Sequence, residues 1–130
     1  MRWIITILVW SVTLIFTPVF ARVNLVENGT VTIEYMPSEN IYISNAVAYQ
    51  DGNEILITGV VKRHANSSST VDGHVHVFVL DPSGIILTQG ATHYIPRIVR
   101  RKGSRESRFT IRFPIVSPKG TTIRVDYHKD

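Results

Sequence analysis

The sequence predicts an all-β protein, a single antiparallel β-sandwich of about seven strands that follows a signal peptide. Short β-rich runs recur at roughly ten-residue spacing with turn residues between them, which is typical of a sandwich. No segment after the N-terminal apolar run has the periodicity of a helix. The chain of 130 residues is long enough for one such domain.

The first 21 residues have the pattern of a secretory signal. Met1-Arg2 gives a positive start, residues 3–16 are nearly all apolar, and Val19-x-Ala21 fits a signal-peptidase site. We therefore expect a signal peptide over residues 1–21 and a β-sandwich domain over residues 22–130. The alternative is an uncleaved membrane anchor, because the apolar run approaches spanning length.

The absence of cysteine indicates the compartment and the source of stability. With no disulfide available, a hydrophobic core must hold an exported domain together. This composition favours a bacterial periplasmic or secreted protein, with no integral membrane span once the signal is removed. Nucleic acid is a poor partner for such a protein, although the net charge is +4.

Alternating apolar residues and turn signals place seven strands, at residues 30–35, 41–49, 54–62, 74–80, 85–95, 109–116 and 121–128. Asp51-Gly52 predicts a hairpin turn in which both central residues have positive φ. Asp81-Pro82-Ser83-Gly84 and Ser117-Pro118-Lys119-Gly120 predict two further turns. If the last two strands pair across the latter turn, their apolar faces disagree unless a bulge forms, at Pro114 for example.

Direct pairing across the Asp81 to Gly84 turn puts several histidines on one face. The expected pairs are Leu80 with Ile85, Phe78 with Leu87, His76 with Gln89, and His74 with Ala91. His93 would then lie diagonally beside His74, and His64 at the end of the preceding strand could be a fourth member.

Three imidazoles and water suit zinc or copper, so His74, His76 and His93 are candidate metal ligands. The opposite side of the same strand carries Val75, Val77 and Val79. If those valines form the core, the histidines simply face solvent near a strand end. A pH-responsive cluster is a third interpretation, since crowded imidazoles titrate near neutral pH.

A basic segment precedes the sixth predicted strand. Its positive residues are Arg97, Arg100, Arg101, Lys102, Arg105 and Arg108, with Glu106 as the one acidic residue. Such a segment could bind an envelope protein or an anionic envelope surface. The alternative is a solvated loop that discourages edge-to-edge strand pairing.

Signatures of catalysis are absent from the sequence. There is no cysteine nucleophile, no Gly-x-Ser-x-Gly elbow, no phosphate-binding glycine loop and no telling pair of carboxylates. We therefore expect a protein that is not an enzyme, with no catalytic residue to name.

Three runs carry a resemblance to a known family: Ile57-Thr58-Gly59-Val60-Val61, then Phe78-Val79-Leu80-Asp81-Pro82-Ser83-Gly84-Ile85, and later Ser107-Arg108-Phe109-Thr110-Ile111. Over about residues 41–113 the chain resembles small bacterial extracytoplasmic sandwiches of the FxLYD type and similar immunoglobulin or fibronectin-III-like domains. The tyrosine of the FxLYD motif is absent, since Leu80 runs directly into Asp81. The resemblance implies an immunoglobulin-like binding or accessory module without catalytic residues.

Overall fold

The computed structural model describes residues 22–38, 41–63, 73–95 and 107–129, which form eight strands and no helix. The strands are β1 (Val23–Asn24), β2 (Val31–Tyr35), β3 (Ile41–Asp51), β4 (Glu54–Arg63), β5 (Gly73–Leu80), β6 (Ile86–Thr92), β7 (Ser107–Phe113) and β8 (Thr121–Lys129). The all-β prediction is confirmed, and each of the seven predicted strands is present. The short β1 is additional, because two residues are too few to give an alternating pattern.

The strands form two four-stranded sheets. Sheet A has the order β1-β3-β4-β7, and sheet B has the order β2-β8-β5-β6. All described pairs are antiparallel except β2 and β8, which are parallel. The predicted sandwich is therefore correct at the level of two packed sheets, while the prediction of wholly antiparallel pairing is wrong for β2 and β8.

One apolar core lies between the sheets. Sheet A contributes Ile55, Ile57, Val61, Phe109 and Phe113, and sheet B contributes Val75, Val77, Val79, Ile123 and Val125. Because successive residues of a strand point to opposite faces, the side chains between these positions lie on the outer faces of the sandwich. Two outer faces are thus available for function.

The last two strands, whose direct pairing would require a bulge, do not pair with each other. β7 lies beside β4 in sheet A, whereas β8 lies between β2 and β5 in sheet B. Gln50 holds the crossing segment: its amide donates to the carbonyl of Ile115, and its side-chain oxygen accepts the N–H of Ser117. Since β7 and β8 are in different sheets, the conflict between their apolar faces disappears and no bulge at Pro114 is needed.

The β3–β4 hairpin is present with a turn that differs from the prediction. Asp51 pairs with Glu54, so Gly52 and Asn53 are the two turn residues. Gly52 has φ 59°, and Asn53 has a negative φ. A glycine with positive φ at the first central position is typical of a type II′ turn, which needs only one such residue.

The β5–β6 turn confirms the predicted faces but changes the register. Asp81 N–H donates to the carbonyl of Ile85, so the loop includes Ile85, and an irregularity between Val79 and Leu80 displaces the pairing further. Phe78 consequently pairs with Gln89, and His76 with Ala91. The total displacement of two residues preserves the face on which each side chain lies.

The side chain of Asp81 organises this turn. Its Oδ1 accepts the Ser83 hydroxyl at 2.7 Å, the Ser83 N–H at 2.9 Å and the Ile85 N–H at 2.9 Å. The hydrogen bond from the Ser83 hydroxyl, followed by that from the Ile85 N–H, lowers the pKa of Asp81 below its ordinary value of 3.8. The charged carboxylate therefore stabilises the loop.

Candidate functional site

The valine side of β5 is the core side. Val75, Val77 and Val79 have 0% exposure, whereas His74 and His76 are half-buried on the outer face of sheet B. Phe78 shares that outer face and stacks on His76 with ring centroids 4.3 Å apart. The histidines thus lie on the surface of the sandwich, as expected if the valines of β5 form the core.

The imidazole nearest to His74 and His76 comes from β8. His128 is directly opposite His74, and the two ring centroids are 5.5 Å apart. The centroid of His128 is also 5.5 Å from that of His76. His93, the third ligand predicted from the sequence, is exposed and follows the end of β6, on the other side of β5. His64 lies outside the described residues.

His128 and its neighbour Asp126 were not among the site residues predicted from the sequence. Asp126 is directly opposite His76, and its Oδ2 is 3.0 Å from Nε2 of His128. The alternation Arg124-x-Asp126-x-His128 does reveal that these three residues share one face of β8. The sequence could not reveal that β8 lies beside β5, because that pairing joins distant parts of the chain.

The basic segment is described only at its end. Arg97, Arg100, Arg101, Lys102 and Arg105 lie outside the described residues. Arg108 is exposed on β7, and its backbone exchanges hydrogen bonds of 2.8 and 2.9 Å with Ile95. Arg108 therefore has a defined position on the outer face of sheet A, close in sequence to the other five basic residues.

A groove of about 400 Å³ crosses the outer face of sheet A beside Arg108. Val47, Thr58 and Thr110 are paired in a row across β3, β4 and β7 and form its floor. Tyr49 and Arg108 occupy the rows on either side. Short side chains flanked by longer ones thus produce the groove.

A β-bulge in β3 shapes one end of the groove. Ser44 pairs with Val60 and Val47 with Thr58, so β3 carries one extra residue between these pairs. Asn45, in the bulge, has φ 51° and lines the groove. The N–H of Ala46 donates to the hydroxyl of Tyr35 at 3.0 Å, which fixes the bulge from sheet B.

The described part of the groove lining is positively charged. Among the described residues that line it, Arg108 is the one charged residue. Arg112, two residues further along β7, is 3.3 Å from Glu54 and 3.5 Å from Asp51. The positive charge of Arg112 is thus offset by carboxylates.

Among the described residues, no group of three or more His, Cys, Asp or Glu side chains is already arranged to hold a metal ion. In the same part of the chain, no helix is long and apolar enough to cross a membrane. The signal peptide predicted for residues 1–21 lies outside the described residues.

Comparison with protein-family models, with curated proteins and with solved structures gives no match to this chain.

Proposed function

We propose that this protein is an exported, non-catalytic binding or assembly module of the bacterial envelope, with an immunoglobulin-like sandwich as its scaffold. Its contact surface is the basic segment together with the outer face of sheet A. The partner is an envelope protein or an anionic envelope surface. The N-terminal signal pattern supports export to the periplasm or beyond.

The main support for the proposal is the position of Arg108, the last residue of the basic segment, which also lines the groove. The groove lining contains a guanidinium, two threonine hydroxyls and an asparagine amide, which are donors to anionic oxygens. Five further basic residues precede Arg108 within about a dozen positions. A surface of this composition attracts phosphate or carboxylate groups more than neutral ones.

Co-sedimentation of the purified protein with native envelope vesicles tests this proposal. The variant Arg100→Gln/Arg101→Gln/Lys102→Gln removes three charges at about 1 kcal/mol each, so we expect roughly hundredfold weaker association. Binding of the unmodified protein should also weaken as salt is raised, because salt screens exposed charges.

Arg112→Gln is the matched control, since it removes an arginine whose charge is already offset by Glu54 and Asp51. We expect it to associate with the vesicles like the unmodified protein. Association that is unchanged in the triple variant would overturn the proposal.

Metal binding by histidines is the second candidate function. It is favoured by the clustering of imidazoles on the outer face of sheet B. Zinc and copper are the ions that such ligands prefer.

A further inference from the structure

Three imidazoles gather at one end of the outer face of sheet B. His74 and His76 are two residues apart on β5, so their side chains share a face, and His128 on β8 faces them. The ring centroids are 5.5 Å apart for His74 and His128, 5.5 Å for His76 and His128, and 6.4 Å for His74 and His76.

These distances are close to those of a three-histidine metal site. Three imidazole nitrogens at about 2.1 Å from one tetrahedral ion place the ring centroids about 5 Å apart. In the arrangement observed these rings do not form a group that could hold an ion, so binding requires their side chains to rotate towards a common point. Such movements are local, because the core side of β5 is occupied by Val75 and Val77 and not by the histidines.

The contact between Asp126 and His128 independently supports a metal site. The Oδ2 of Asp126 is 3.0 Å from Nε2 of His128, in the arrangement by which a carboxylate orients a histidine ligand. With the Nε2–H donated to Asp126, the lone pair of Nδ1 of His128 is left for an ion. Asp126 is also opposite His76, so the carboxylate lies within the cluster.

From these contacts we infer that His74, His76 and His128 form a site for a divalent transition-metal ion, Zn²⁺ or Cu²⁺, and that Asp126 is a positioning residue acting through His128. Water completes the coordination of the ion. This site rests on the second candidate function, metal binding, and is separate from the contact surface on sheet A, so loss of metal binding and loss of envelope association are distinguishable. It replaces the predicted ligand His93 with His128, because the ring contacts of the described residues join His128, and not His93, to His74 and His76.

Isothermal titration of the tag-free, chelator-treated protein with ZnCl₂ and with CuCl₂ tests the site. We expect one ion per chain, with binding weakened at least tenfold in His74→Ala, His76→Ala and His128→Ala. Asp126→Asn should weaken binding by about 10-fold to 100-fold, the range expected for a partner that orients a ligand.

His93→Ala is the matched control and should bind like the unmodified protein. Thermal melting of each metal-free variant shows whether it is folded. Amide resonance broadening by Cu²⁺ provides a second measurement, which needs no variant. In the unmodified protein, substoichiometric Cu²⁺ should broaden the backbone amide resonances of residues 74–76 and 126–128 first. Absence of saturable binding of both ions, or a loss of binding in His93→Ala and not in His128→Ala, would overturn the inference.

Discussion

Gly59 and Phe109 oppose each other across β4 and β7, on the inner face of sheet A. A β-carbon added at Gly59 would overlap the ring of Phe109, and that ring is only 1% exposed and cannot move outward. We therefore predict that Gly59→Ala lowers the free energy of unfolding by about 1–3 kcal/mol, as overpacking of a core does. Urea unfolding of the two proteins measures this difference.

Gly90→Ala is the control for that substitution. Its β-carbon would lie 3.1 Å from side-chain atoms of Ile111 and Phe113, and of these two side chains only Phe113 is buried. Because the tips of these side chains can shift, the loss should be smaller than that in Gly59→Ala. Equal losses in both variants would show that the Phe109 ring does not constrain Gly59.

The β5–β6 turn depends on the charge of Asp81. The pKa of Asp81 is lowered in the folded protein, so the carboxylate contributes stability above its ordinary value of 3.8 and loses it as pH falls through the lower folded value. We predict that Asp81→Asn is less stable than the unmodified protein at neutral pH. The difference should shrink as pH falls below 3.8.

Asparagine is a suitable replacement because its side-chain oxygen can still accept the N–H groups of Ser83 and Ile85. Urea midpoints measured for both proteins between neutral and acidic pH provide the comparison. A difference that stays constant over this range would contradict a role for the charge.

The strands could be predicted from the sequence because alternation is a local signal. The valines of β5 and the apolar positions of β8 repeat every second residue, β5 begins at Gly73, and β8 follows Gly120. The type of the turn at Gly52 and the register of β6 could not be predicted in this way. Both depend on hydrogen bonds at the turn, such as that from Asp81 N–H to Ile85, which alternation does not encode.

At the scale of the whole molecule, the pairing of β4 with β7 and of β5 with β8 decides both candidate sites. These pairings join strands that are far apart in the chain, so no local pattern predicted them. The groove exists because Thr58 and Thr110 meet across the first pairing. The imidazole cluster exists because His74 and His128 meet across the second.

Two outer faces of different character result from this arrangement. Sheet A presents the groove with Arg108, whereas sheet B presents the imidazoles with Phe78 and Asp126. The proposed contact with the envelope therefore concerns one face of the sandwich, and the proposed metal site concerns the other. A measurement that distinguishes the two faces tests the proposed function directly.

The measurement is a titration of the ¹⁵N-labelled protein with native envelope vesicles, followed by the broadening of each backbone amide resonance. We predict that the resonances of Thr58, Arg108 and Thr110 on sheet A broaden first, while those of Gln89 and Ala91 on the outer face of sheet B change least. Broadening that begins on sheet B and spares Arg108 and Thr110, or no broadening at any vesicle concentration, would contradict it.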